Sequence, residues 1–247
     1  MNHRNIAAVF DVDGTLIADD SLERIFFRYL WRYDEIGLGA LWRAAGGAFC
    51  RMIGRADDKA WLRGQDAQRL RRLARDCFEQ EVVRRLLPAA TSRLKWHQRA
   101  GHQVVLLSGT LDVLLDPLAE YLNVSTRIGT TVEISDQKAT GRIASTRPFG
   151  LTKLITLKRM IEREQAADVD LTRSFAYADH YADRFLLSAV GHPVAANPDR
   201  RLRRVAEQRG WMIEDFTRKN TDGIQEQSFS RSGAGRADAP ALPAANQ

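Results

Sequence analysis

Two aspartates stand two residues apart at the end of a short apolar run, VFDVDGTLI, Val9 to Ile17. Asp11 and Asp13 are followed directly by Gly14 and Thr15. Taken alone, the pair could cap a helix or a turn, or it could share a metal and attack something. Distant residues bear on the choice. Ser108-Gly109-Thr110 follows the apolar run Gln103 to Leu107, and Asp179-x-x-x-Asp183 follows Ser174 to Ala178. Lys153 opens a helical stretch between them.

The chemistry open to this set is phosphate chemistry. A carboxylate nucleophile must approach an anion, and unit charges near 4 Å at an effective dielectric of 20 repel by about 4 kcal/mol. The approach needs cations. Mg²⁺ takes a few carboxylates together with substrate phosphate and water. Asp11 and Asp179 can hold it, with Asp183 in support, and Lys153 adds a second positive charge. Ser108 and backbone N–H groups at the next helix N-terminus can grip phosphate oxygens. Asp11 and Asp13, at alternate positions of an extended strand end, can face one side. Such a site splits hydrolysis into formation and breakdown of an aspartyl-phosphate. Asp13 can protonate the leaving alkoxide and then activate water, while electrostatic stabilisation supplies much of the acceleration. Each piece has a plainer reading: a turn or cap for Asp11 and Asp13, a turn for Ser108 to Thr110, a solvated residue for Lys153, a capping pair for Asp179 and Asp183. Their order and shared place after apolar runs favour one site.

The elements that must position these residues can be read from periodicity. Ile6 to Phe10, Gln103 to Leu107, Ser174 to Ala178 and Pro193 to Ala196 read as buried strands. Ser21 to about Leu87 is helical, with Leu22, Ile25, Phe26 and Tyr29 at helix spacing and Asp20 or Ser21 as cap. Pro88 punctuates the end of that block. Helices are predicted over Ala89 to Arg99, Leu111 to Tyr121, Lys153 to Glu164 and Arg200 to Gln208. Val132 to Ile134 and Gly141 to Ile143 read as a short hairpin around DQKAT. Alternating strands and helices predict an α/β fold with a doubly wound parallel sheet. Strand-end residues then gather at one sheet edge. The discontinuous core would comprise 1–18 and 88–217, with 19–87 as an inserted helical cap. The Gly-, Ser-, Ala- and Pro-rich stretch 218–247 reads as a disordered tail.

Composition excludes several classes. The 247 residues carry a formal net charge of +6 and are 44% hydrophobic, an ordinary soluble balance. Between Arg43 and Arg99 there are fourteen Lys and Arg against six acids, either solvated helix faces or a field that steers phosphate. Few aromatics are interleaved, so no nucleic-acid partner is expected. Cys50 and Cys77 are too few for a disulfide framework and read as reduced and packed, as in a cytoplasmic protein. No apolar run is long enough for a membrane span. The best candidate, Gly37 to Gly54, is interrupted by Arg43 and Arg51 and reads as a cap helix.

FDVDGTL, LLSGT, Lys153 and YADHYAD together resemble the four-motif signature of the haloacid dehalogenase superfamily, from about Ile6 to Trp211. The cap position and AVGHPVAANPDRRLRRVAEQRGW are similar to its phosphoserine-phosphatase-like branch, subfamily IB. The resemblance implies a Mg²⁺-dependent phosphatase acting on a small phosphomonoester. It implies Asp11 as nucleophile, Asp13 as general acid/base, and Ser108, Gly109 and Lys153 as phosphate binders. Asp11, the backbone carbonyl of Asp13 and Asp179 would ligate Mg²⁺, with Asp183 close by. An acid near Asp20, beside Asp19, would face a substrate amine, which makes a phosphoserine-like amino-alcohol phosphate the first expectation. The cap tryptophans Trp31, Trp42 and Trp61 leave a lipid phosphate or larger metabolite open. The fourth motif departs from the family's usual Gly-Asp-Ser or Gly-Asp-Gly, reading Ala178-Asp179-His180. His180 either points away on a helix start, or narrows the site, weakens the metal or contacts substrate. With the basic cap, it motivates a competing reading, a non-catalytic phosphate- or nucleic-acid-binding protein on the same fold. Oligomeric state is not readable from the sequence.

Overall fold

Short apolar runs become the central strands because both their faces are covered. The computed structural model describes residues 5–18, 20–37, 39, 59–163 and 169–217. Among them the strands are β1 (Ala7–Phe10), β2 (Gln103–Leu111), β3 (Thr126–Thr130), β4 (Val132–Ser135), β5 (Lys138–Ile143), β6 (Phe175–Ala178), β7 (His192–Ala196) and β8 (Met212–Glu214). Six pair in parallel in the order β3-β2-β1-β6-β7-β8. All four residues of β1 and of β6 are buried, as parallel strands inside a sheet require. The chain runs outward from β1 to β3 and returns to the other side of β1. That reversal creates a crevice at the carboxyl ends of the strands, where ligands bind in such sheets.

Helices α1 (Leu22–Arg32), α2 (Ala67–Cys77), α3 (Pro88–Arg99), α4 (Asp112–Tyr121), α5 (Leu151–Arg163), α6 (Arg184–Ser188) and α7 (Arg200–Arg209) accompany the strands. On one sheet face, Val9, Leu107 and Ala176 pack with Leu157 of α5, Leu187 of α6 and Leu202 of α7. Phe10 points to the other face, stacks on Tyr177 with ring centroids 4.4 Å apart and meets His97 of α3 edge-on. The expected α/β architecture is present, with three differences. Ser108-Gly109-Thr110 is not a turn: β2 continues through it to Leu111, and the pairing with β3 shifts register there. The sheet also gains β3 and β8, edge strands without a continuous apolar run.

The third difference is the length of the hairpin turn: the expected hairpin is present, but β5 starts at Lys138 rather than Gly141. β4 and β5 pair antiparallel around Asp136 and Gln137, both at positive φ, the geometry of a tight two-residue hairpin turn. The hairpin docks on cap residues: Ala67 N donates to Gln137 O, and Gly64 N to Ala139 O, both at 2.8 Å. In the cap, Ser21 Oγ accepts from Arg24 N at 3.3 Å and so caps α1, as expected. Leu22, Ile25, Phe26, Tyr29 and Leu30 form its buried face. Cys77 is buried, and burial pushes its thiol up to about 12, the behaviour of a packed cysteine. Among the described residues no helix is long and apolar enough to cross a membrane. Asp19, Trp42, Arg43, Cys50, Arg51, most of the proposed Gly37 to Gly54 cap helix and the proposed tail 218–247 lie outside the described residues.

His97 gives the core a pH dependence. It is fully buried, with Nε2 2.8 Å from Tyr177 Oη and Nδ1 2.7 Å from His102 Nδ1. Burial, then the neighbouring His102 and Arg93, depress its pKa from 6.5 to about 2. Below pH 6.5 the unfolded chain takes up a proton that the native state refuses, so stability falls as pH falls. Between pH 7 and pH 5 this one group is expected to remove about 2 kcal/mol. Urea unfolding of wild type and His97→Gln at both pH values checks it: the variant's acid loss should be smaller by that amount.

Candidate active site

The site begins where β1 stops. Asp11 N donates to Tyr177 O at 2.9 Å, which prolongs the pairing with β6 by one residue and leaves the Asp11 side chain at the sheet edge. The chain then turns tightly. Gly14, at φ +81°, donates to Ile17 O at 2.9 Å, and its own carbonyl accepts from Asn197 Nδ2 at 2.8 Å. Asp13 Oδ1 accepts from Leu22 N, the first residue of α1, at 2.9 Å. Burial, above all, pushes the Asp13 carboxyl up to about 7; the Leu22 bond opposes this and the charge of Asp11 adds to it.

Lys153 lies in the first turn of α5 and is buried beneath this edge. Its Nζ is 2.8 Å from Asp11 Oδ1 and 2.7 Å from Asp183 Oδ2. Burial alone would lower an ammonium pKa; Asp11 and Asp183 overcome it and raise Lys153 instead. Asp179 follows β6, and Asp183 opens α6. Burial raises both carboxyl pKa values, and the charge of Asp11 raises them further.

Asp11, Asp179 and Asp183 each offer an oxygen within 4.8 Å of the others. Three carboxylates that repel one another, two buried and Asp179 partly so, with oxygen donors only, fit a hard divalent cation such as Mg²⁺. Gly14 is part of that fit. A Cβ there would lie 2.1 Å from Asp179 Oδ2, so only glycine lets the carboxylate reach its place. The Asp13 carboxylate is not in this group.

At the end of β2, Ser108 Oγ accepts from Thr110 N at 3.1 Å. Thr110 Oγ1 is buried and has no hydrogen-bond partner among the described residues, which is uncommon for a buried hydroxyl. Gly109 is constrained from above: a Cβ would meet Pro148 O at 3.1 Å. Asp11, Asp13, Asp20, Ser108, Gly109, Lys153, Asp179 and Asp183 all line one cavity of about 600 Å³. The structure therefore brings together these eight residues; Asp19 and Trp42 lie outside the described residues, and Trp31 and Trp61 do not line the cavity.

Two of them have unexpected partners. Asp20 lies on the cavity wall, but Arg28 Nη1 is 2.5 Å from its Oδ2 and Arg24 Nη1 is 3.8 Å from its Oδ1. Its charge is thus met from within the cap. His180 accepts from Ala182 N through Nδ1 at 3.1 Å, while its Nε2 is 3.7 Å from Asp199 Oδ2. The ring caps the short turn Tyr181–Asp183 and still lines the cavity.

Sequence reading missed the cavity residues Glu23, Arg24, Arg147 and Phe149. Glu23 pairs with the buried Lys59 Nζ at 2.7 Å; Lys59 lies in a stretch with no pattern to nominate it. For Arg147 and Phe149 the signal was proximity: RPFG stands directly before the helix of Lys153.

The sequence matches the family described as haloacid dehalogenase-like hydrolase over residues 8–188. It is 31% identical over 221 residues to the phosphoserine phosphatase SerB1 of Mycobacterium tuberculosis, covering 85% of this chain and 70% of that protein. It is 26% identical over 219 residues to a histidinol-phosphatase of Neisseria meningitidis, covering 85% of this chain and 98% of that protein. Among solved structures, a Bordetella pertussis protein of unknown function superposes with a TM-score of 0.75 at 26% identity, covering 86% of this chain and 99% of that one.

Gly14→Ala tests the cation-site geometry. The strained φ alone costs about 1–3 kcal/mol, and the added methyl displaces Asp179. The unfolding temperature should drop, and the rise expected from Mg²⁺ in wild type should shrink or vanish. Thermal melts with and without Mg²⁺ measure both.

Proposed function

This chain belongs to the haloacid dehalogenase-like hydrolases, and we propose from that premise that it is a Mg²⁺-dependent phosphomonoester hydrolase working through an aspartyl-phosphate on Asp11. The observation that carries the reading is the position of Asp11, 2.8 Å from Lys153 Nζ and grouped with Asp179 and Asp183. The carboxylate faces cationic help from one side and a cation-binding acid cluster from the other. Asp11, Asp179, Asp183 and the backbone carbonyl of Asp13 would hold Mg²⁺, which when bound supplies positive charge against the phosphate.

The chain's own residues do the rest. Lys153, Ser108, Gly109 and Thr110 hold the phosphate oxygens. An Asp11 oxygen attacks phosphorus and the ester P–O bond breaks. Asp13, held by Leu22 N between the core and the cap, gives its proton to the leaving alkoxide. Asp13 then takes a proton from water, which attacks the phosphorus of the aspartyl-phosphate. Inorganic phosphate leaves and Asp11 is restored.

We further propose an amino-alcohol phosphate as substrate. Phosphoserine and histidinol phosphate, the substrates in the two relatives' names, are both primary-alcohol phosphates bearing an amine. Asp20 and Glu23 on the cap wall are the acids such an amine would meet, where it would share them with Arg28 and Lys59, their present partners. The decisive assay is phosphate release from both compounds by the Mg²⁺-loaded full-length protein. Asp11→Asn should lose at least about a thousandfold in kcat/KM, the scale of removing a covalent nucleophile. Retained activity in that variant would refute the assigned nucleophile, and turnover of neither compound would refute the substrate class.

A further inference from the structure

Away from the phosphate end, the cavity has two unlike walls. The cap wall is polar and charged, whereas the core wall presents Phe149 and His180. Phe149 is 58% exposed. A single exposed apolar side chain is ordinary, but this one is held in place. Its N–H donates to Thr152 Oγ1 at 2.8 Å, and the same hydroxyl donates to Arg147 O at 2.6 Å. The preceding Pro148 carbonyl sits over Gly109 of the Ser108–Thr110 segment, so the backbone of Phe149 is pinned next to the phosphate end. His180 comes from a different strand end and is oriented by its bond from Ala182 N. The two ring centroids are 6.2 Å apart at 41°, which makes an angled aromatic corner facing the cavity.

Pre-oriented rings favour another ring. Stacked or edge-on partners at 4.5–7 Å gain about 0.5–1.5 kcal/mol beyond the area they bury. A flexible aliphatic chain or a small polar leaving group gains none of this. We propose that the leaving group of the substrate carries a planar ring that packs in the corner of Phe149 and His180, making these two residues determinants of specificity. The proposal rests on the hydrolase reading of the same site and narrows its substrate class.

The test compares phosphomonoesters that share a two-carbon arm: 2-phenylethyl, 2-cyclohexylethyl and ethyl phosphate, with the Mg²⁺-loaded full chain. The phenyl ester should exceed the cyclohexyl ester about three- to tenfold in kcat/KM, the range the ring contact provides. Phe149→Ser and His180→Asn should each shrink that ratio, and together bring it to one. His180→Asn keeps an acceptor for Ala182 N–H, and Phe149 is exposed, so neither change removes a core contact. Equal turnover of phenyl and cyclohexyl esters, or a preference that survives both substitutions, overturns the proposal. If no ester is turned over, calorimetric binding of 2-phenylethylphosphonate against 2-cyclohexylethylphosphonate decides. A phenyl preference abolished by the two substitutions upholds the aromatic corner while the hydrolase reading fails. Equal binding, or none, overturns the corner.

Discussion

The structure depends on keeping four carboxyl groups together at the end of two neighbouring strands. Asp11, Asp13, Asp179 and Asp183 lie at the ends of β1 and β6, within a cavity whose floor is the buried Lys153. Burying like charges is costly unless they are paired and hydrogen-bonded. One ammonium, at 2.7–2.8 Å from two of the acids, cannot neutralise the set. Burial first, and the charge of Asp11 after it, raise the pKa values of Asp179 and Asp183. Much of the local architecture serves that cluster: Gly14 because a side chain would strike Asp179, Asn197 because it pins the Gly14 carbonyl, and α5 because it delivers Lys153 from beneath. A fold that had to minimise such repulsion would not arrange it so. A bound cation would offset that repulsion, as the proposed hydrolase reading requires.

The cap is joined to that cluster through one hydrogen bond and one shared wall. Leu22 N donates to Asp13, so the first turn of α1 is tied directly to the proposed acid/base residue. Asp20, Ser21, Glu23 and Arg24 follow from the same turn and form the cavity wall opposite Phe149. The acids proposed to meet a substrate amine and the residue proposed to protonate the leaving group thereby lie on one short stretch of chain. The β4–β5 hairpin, though it follows β3 in the chain, bonds to residues 64–67 of the cap. Contacts across the two proposed domains are thus made by main-chain bonds as well as by side chains.

What was legible in the sequence had a local physical signature. β1, β6 and the Val104–Leu107 part of β2 are short apolar runs, each followed by polar residues, so strand and site were read together. Ser21 was legible as a cap because its hydroxyl must meet an orphan N–H. β3 was not legible: TRIGT alternates weakly, carries Arg127 at the sheet edge, and owes its place to pairing with β2. β8 has only three residues, each half-buried. The Ser108–Thr110 segment looked like a turn because Ser, Gly and Thr favour turns. Parallel pairing and the register shift hold it extended instead. Long-range ion pairs were invisible for the same reason: nothing around Lys59 or Arg28 announces Glu23 or Asp20 as its partner.

His180 shows how a departure from a family pattern can be absorbed. A bulky ring directly after a cation-binding aspartate would be disruptive if it pointed toward that aspartate. Here the imidazole instead takes over a cap, accepting from Ala182 N, while Asp199 accepts from Tyr181 N at 2.9 Å and secures the same turn from outside. Asp183 N donates to His180 O at 2.9 Å, closing the turn that carries Asp183 to Lys153. The backbone bonds that position the acids therefore do not depend on a small side chain at position 180. That leaves the ring free to serve as cavity wall beside Phe149. The residue that sequence reading set either away from the site or against metal or substrate caps its own turn and lines the cavity.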